Sequence, residues 1–378
     1  MTTRRERLMA TMRGETVDRP PVSFYELNGL DENQENADPF NIYSHPSWFP
    51  LIELTREKTD RIVMRGASFA NFLPNPIDEI SDEKVYYQHG SRFTTRTISI
   101  GSQTLTTRTR RDPDVNTIWT EEPLLKNTDD LRTFLSIPAP YSQGKFDASP
   151  IIDAETALGD SGIVMLDTPD PLCLAASLFD MAEYTVIALT EQKLFRQLLD
   201  RFAEELFPKT EIVAKTLPGR LWRIYGPEYA SPPYLPPALF EEYVCFYVAP
   251  MVETIHRYEG YARIHSHGNL KAILDYIVEL NVDGLDPIEP PPQGDVELAY
   301  VRQNYGREMV LFGNLEVSDI ENLPTDQFSE KVKKALDEGT AGSGRGFVLM
   351  PSACPYGRIL NSLALKNYEK MIELVEYF

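Results

Sequence analysis

Residues 261–289 read YARIHSHG, NLKAILDYIVELN, VDGLDPIE, and the fold turns on them. The first piece is a short apolar run. The second carries apolar residues at helical spacing, and the third is again short and apolar. Strand, helix and strand in that order make a crossover unit, which implies two parallel strands. The pattern continues upstream. GIVMLD (162–167) is a strand, and 191–207 is a helix with Leu194, Phe195, Leu198, Leu199, Phe202 and Leu206 on one face. RLWRIYG (220–226) is a strand, and 236–258 is a helix opened by a proline pair. Downstream follow a helix (295–306), MVLFGNLE (309–316), a helix (326–339), GFVLMPSA (346–353) and a closing helix (363–378). PVSFY (21–25) and RIVMRG (61–66) supply two earlier strands. Eight apolar strands alternating with helices imply one α/β domain over residues 1–378, a closed (β/α)8 TIM barrel.

One stretch breaks the alternation. VYYQHGSRFTTRTISIGSQTLTTRTR (85–110) is rich in Thr, Tyr and Ile and punctuated by Gly90 and Gly101. It is expected as an antiparallel β-meander inserted into the barrel, within residues 85–120. No GxGxxG follows a strand and no GxxxxGK[ST] occurs, so a dinucleotide-binding or P-loop domain has no local support.

Charge narrows the partners. A formal net charge of −20 argues against nucleic acid or an anionic membrane as the main partner. It does not exclude an anionic small molecule in a locally basic pocket. Cys173, Cys245 and Cys354 are odd in number and far apart, so a disulfide framework is not expected. There is no apolar run of signal-peptide or membrane-span length, and the expectation is a cytoplasmic protein, with a homodimer left open.

In such a barrel the chemistry sits at the carboxyl ends of the strands. Read in order, those ends offer Glu26 and Asn28, Asp167, Glu228 and Tyr229, His265 and His267, Asp286 and Glu289, Asn314 and Glu316, and Ser352 and Cys354. Strand tips are polar in any protein. The two histidines weigh more, because the chain has five. Two residues apart on a strand, His265 and His267 point to one face. Two imidazoles beside carboxylates on adjacent strands suit a metal. The competing reading is a histidine pair hydrogen-bonded to carboxylates without metal. Glu228 and Glu289 flank the histidine strand, each as a third ligand, a general base or a solvated loop acid. Asp286, before Pro287, suits a hydrogen bond that orients a histidine. Cys354 is a ligand or a small buried hydrophobe. Glu26, Asn28, Asp167, Tyr229 and Asn314 are the candidate substrate contacts.

RRERLMATMRGETVDRPPV (4–22), VDGLDPIE and LFGNLE resemble the uroporphyrinogen decarboxylase superfamily over most of the chain outside the meander. The resemblance offers two activities. True decarboxylases carry arginine just after the first strand to hold substrate carboxylates, but SFYELNGLDENQENAD (23–38) contains none and many acids. The zinc-dependent, cobalamin-linked methyltransferases carry His-x-Cys-Gly at the fifth strand and a late Cys. Here His265, Gly268 and Cys354 match, while His267 stands where those enzymes have Cys. That branch implies zinc, placed here at His265 and His267 with one or two of Cys354, Glu228 and Glu289. It implies methyl transfer from an O- or N-methylated small molecule to a corrinoid. No Asp-x-His-x-x-Gly signature occurs, so the corrinoid would arrive on a separate protein. A cofactor-free decarboxylase and a non-catalytic ligand-binding barrel are the alternatives.

The acidic 23–38 segment generates the first prediction. Uroporphyrinogen III should not be turned over. Coproporphyrinogen formed at about 1 per second or faster would reverse the ranking of the two activities.

Overall fold

The computed structural model describes residues 2–71, 75–139 and 144–378. Its strands are β1 (Arg61–Gly66), β2 (Ser68–Asn71), β3 (Ser81–Gln88), β4 (Ser91–Ile100), β5 (Gln103–Arg111), β6 (Ile118–Glu122), β7 (Gly144–Asp147), β8 (Gly162–Pro169), β9 (Leu221–Tyr225), β10 (Tyr261–His265), β11 (Gly284–Asp286), β12 (Val310–Leu315) and β13 (Phe347–Pro351). A seven-stranded parallel sheet runs β1-β8-β9-β10-β11-β12-β13. The segment 21–25 closes it. Val22 bridges Leu349 in parallel, the Ser23 and Leu349 amides bond across to Leu349 and Pro21, and the Asp60 amide donates to the Val22 carbonyl at 2.7 Å. The expected first stave is therefore present, held by few backbone bonds.

Period-two alternation sorts each strand between two cores. Ile62, Ile163, Met165, Leu221, Val310, Phe312, Val348 and Met350 fill the barrel, with Leu8 and Met12 of helix Arg4–Met12 packed against them as a floor. The alternate residues, such as Val63, Val164, Trp222, Ile264 and Leu311, pack outward under the helices. Burying these faces is the main stabilising term.

The meander is a four-stranded antiparallel sheet, β3-β4-β5-β6, running a few residues beyond the expected 85–120 at each end. A second pair, β2 with β7, was not anticipated. Two helices also differ from their sequence patterns. The first runs Gln192–Thr216, through Pro208. Burial of Phe195, Leu198, Leu199, Val213 and Ala214 on both sides of the proline outweighs the cost of an interior proline, about 3 kcal/mol for the lost hydrogen bond and the ring clash together. The segment 236–258 is divided into Pro237–Phe240, a π turn Glu241–Cys245 and Phe246–Arg257. Among the described residues no helix is long and apolar enough to cross a membrane.

Asp60 ties the floor to the first stave. Its fully buried carboxylate accepts from Arg7 at 2.6 Å, Arg19 at 2.8 Å and the Val22 amide at 2.9 Å. Asp60→Ala leaves two arginines facing a buried vacancy. It should cost about 3–5 kcal/mol, read as a lower urea midpoint.

Candidate active site at the barrel mouth

Strand β10 presents Arg263 and His265 on its inward face, two residues apart, and the chain carries His267 on the same side. In register, His265 lies beside Asp286 of β11, and Arg263 lies beside Arg223 of β9. Asp286 is fully buried and accepts from Arg263 Nε and, at 2.6 Å, from Arg263 Nη2. His265 Nδ1 is 2.6 Å from the same carboxylate. Burial alone would push Asp286 up, but the charges of Arg263 and His265 outweigh it and hold the group well below the usual carboxylate range.

A second ionic group adjoins the first. Arg223 grips Asp167 through Nε at 2.6 Å and Nη2 at 3.1 Å, and donates from Nη1 to the Tyr25 hydroxyl. That hydroxyl lies 3.4 Å from His265 Nε2, and the two rings stack at 5.7 Å. Burial pushes the phenol up, and its oxygen accepts from Arg223.

His267 sits edge-on to His265, ring centroids 4.7 Å apart. Its Nδ1 is 2.8 Å from Glu289 Oε1, and the Gly268 amide donates to Glu289 Oε2 at 2.9 Å. Burial disfavours the imidazolium. The Glu289 hydrogen bond, with the charges of Glu289, Glu228 and Asp286, overrides it and raises the His267 pKa. Glu289 follows Ile288, a β-branched residue at φ 55°. Such a conformation is strained and survives only where its surroundings impose it. Gly294 supplies part of that imposition, because a Cβ there would collide with the Glu289 carbonyl.

Glu316 lies beyond Glu289. It is buried, accepts from Ser352 at 3.2 Å, and its Oε1 finds no partner among the described residues. Burial, reinforced by the Glu289 charge, raises its pKa to about 7. Asp170 is similar on the other flank. It is fully buried, one oxygen accepts from the Cys173 amide at 2.6 Å, and burial together with Glu228 pushes its carboxyl up.

The structure thus brings together His265, His267, Asp286 and Glu289. Glu228 bears on His267 by its charge and accepts from the Gly226 amide at 3.1 Å. Asp167 lines a cavity of about 510 Å³ with Gly66, Phe69, Trp222 and Tyr225, and its carboxylate is already bound by Arg223. Tyr229 packs edge-on against Tyr184, Glu26 is exposed, and Asn314 borders a small crevice with Glu316. Two expectations are corrected. Asn28 is no free substrate contact: its side chain accepts from Leu30 and Asp31 amides and donates to Asp31, building its own turn. Cys354 stands among Tyr43, Tyr368, Glu26, Glu32 and Glu321, not beside the histidines. Among the described residues no three His, Cys, Asp or Glu side chains are grouped to hold a metal ion.

Arg223, Arg263, Tyr25 and Asp170 went unread. The signal was present for the arginines: each is a lone charge at an inward position of an otherwise apolar strand, and Arg263 precedes His265 by two.

The profile of the family described as uroporphyrinogen decarboxylase (URO-D) matches residues 168–378, more than half of the chain. The chain belongs to the uroporphyrinogen decarboxylase family. Among solved structures, a methyltransferase from Methanosarcina mazei is similar over 100% of both chains, with a TM-score of 0.63 and 15% identity. At that identity the likeness concerns the fold. A D-psicose 3-epimerase with D-tagatose from Clostridium cellulolyticum H10 aligns over 61% of this chain and 84% of its own, at 12% identity and a TM-score of 0.37. No curated protein matches. Family membership and the shared fold fit an enzyme.

Glu316 supplies a prediction with a definite sign. Its folded pKa of about 7 lies above its unfolded value, so the native state holds the extra proton. Stability should fall as pH rises from about 4.5 to 7, by at most about 3 kcal/mol. Glu316→Gln should remove that part of the slope. Wild-type and variant urea midpoints running parallel over this range would refute the assignment.

Proposed function

We propose that the chain is a methyltransferase that moves a methyl group from an O- or N-methylated small molecule to a corrinoid carried by a separate protein. The observation that carries the reading is the histidine pair. Each imidazole has its Nδ1 on a carboxylate, Asp286 or Glu289, and for neither ring does Nε2 meet a carboxylate among the described residues. Carboxylate-backed imidazoles are how proteins prepare histidine for a metal. The family holds either activity, and the fold likeness to a methyltransferase supports this branch.

Zinc enters the reading as a Lewis acid toward the heteroatom that bears the methyl group. His265 and His267 would hold it, with Glu228, whose charge bears on His267, as the further donor. Two of these three donors stand together in this structure, so recruitment of the third is part of the proposal. A metal at His265 Nε2 also has to displace the 3.4 Å contact with Tyr25, which is long for a hydrogen bond and weak. Asp286 and Arg263 fix the His265 ring, Glu289 fixes the His267 ring, and Glu316 is a group able to return a proton near neutrality.

The cofactor-free decarboxylase would call on Arg223 and Arg263 to hold substrate carboxylates. Asp167 and Asp286 already occupy both. This ranks it second.

Metal analysis separates the readings. We expect one zinc per chain. His267→Ala should lower zinc affinity at least about tenfold and abolish methyl transfer to a corrinoid protein, with the barrel intact by circular dichroism. A wild-type chain that stays active after exhaustive chelation would refute the zinc reading. The alternative without metal expects only a stability loss of about 1–3 kcal/mol from the broken His267–Glu289 bond.

A further inference from the structure

The opposite face of the barrel carries a second concentration of charge. Segment 14–20, Arg302 on helix Leu298–Tyr305 and the loop 341–346 enclose a cavity of about 420 Å³ at the amino-terminal ends of the strands. Three arginines line it: Arg19, Arg302 and Arg345. Arg19 is bound to Asp60 at 2.8 Å and Arg345 to Asp283 at 2.9 Å. Two carboxylates also line it, but Glu15 is held by Arg13 and Asp18 by Arg7, each through two hydrogen bonds. Arg302 is left over.

Arg302 is 6% exposed. Its Nε donates to the Ala341 carbonyl at 2.9 Å and its Nη1 to the Gly346 carbonyl at 3.4 Å. Among the described residues no carboxylate pairs with it, and burial lowers its pKa with no acid opposing the shift. A buried guanidinium without an anion is costly. The loop it touches runs Ala341-Gly-Ser-Gly-Arg-Gly346. Among the described residues the amides of Gly342, Ser343, Gly344 and Gly346 donate to no protein acceptor. Gly342 (φ 64°) and Gly346 (φ 146°) adopt conformations that glycine alone takes easily. A Cβ on Gly344 would meet the Arg302 guanidinium, so the loop backbone lies directly on that charge.

We propose that this cavity binds a phosphate-bearing anion, with Arg302 and the free amides of loop 341–346 as donors, away from the barrel mouth. The guanidinium supplies charge and a planar fork, and the amides supply short-range donors for the remaining oxygens. The volume exceeds that of phosphate and falls within the roughly 300–1,000 Å³ of small-molecule sites, so an ester of phosphate fits. The site stands independently of the reaction at the mouth.

Calorimetric titration of the whole chain tests it, with inorganic phosphate in one arm and glycerol 3-phosphate in the other, ionic strength being held with chloride. Saturable one-site binding and a matching rise in Tm are expected. Arg302→Gln should weaken binding by about tenfold or more. Ser343→Asp, on the exposed loop, puts a carboxylate among the amides and should weaken binding equally while leaving the melt in chloride unchanged. That second variant decides the matter if Arg302→Gln does not fold. Tighter binding of glycerol 3-phosphate assigns an organic phosphate, and equal binding assigns the free ion. No saturable binding of either by the wild-type chain overturns the proposal, as does an unchanged affinity in Ser343→Asp.

Discussion

A carboxylate with no access to water governs the upper half of this barrel. Asp286 lies within the strands, and its charge is tolerable only because Arg263 and His265 close on it from β10. Removing a charge from water costs several kcal/mol per ion, and only well-formed partners offset it. The geometry is therefore stiff. His265 cannot rotate without exposing Asp286 to an apolar interior, and Arg263 cannot leave without stranding both. Arg263 also lies over the Phe312 ring at 4.4 Å, which ties the ionic group to the packed lumen below. The site rests on the same side chains that complete the core.

The consequence for chemistry is a mouth whose basic groups are spent. Arg223 and Arg263 face inward, yet each is neutralised by a carboxylate, and Tyr25 takes the remaining Arg223 donor. What stays open is imidazole and acid. Glu289 and Asp286 are held ionised by their histidines and by arginine, whereas Glu316 and Asp170 are pushed toward the protonated form by burial. Carboxyls within one mouth thus hold opposite protonation preferences, set by whether a cation stands beside them. Divided environments of this kind mark acid and base roles in active sites. The floor presents the reverse condition, a buried guanidinium that pairs with no acid among the described residues.

Sequence patterns located the parts of the site that follow from strand periodicity. His265 and His267 share a face because they are two apart, and Asp286 and Glu289 are near because their strand pairs with β10 in parallel. Helix ends were read less well. Pro208 would ordinarily stop a helix, but its flanks bury enough apolar surface to carry the helix through. The reading of Asn28 failed for a local reason, since a short amide side chain satisfies its own turn. Cys354 failed for a distant one. A residue just past the last strand lies near the first stave, and which pocket it enters depends on how residues 26–43 pack over it.

Alternating apolar strands and amphipathic helices determined the parallel barrel, its order and the side on which chemistry gathers, because periods of two and 3.6 are written residue by residue. The inserted meander and the histidine strand were legible for the same reason. The partners were not. Arg223 meets Tyr25 across 198 residues of chain and Asp167 across 56, and no local pattern encodes a contact of that span. Only closure of the barrel decides which inward charges meet. That closure turned two lone arginines into the neutralised wall of the mouth and left Arg302 on the floor with no carboxylate paired to it among the described residues.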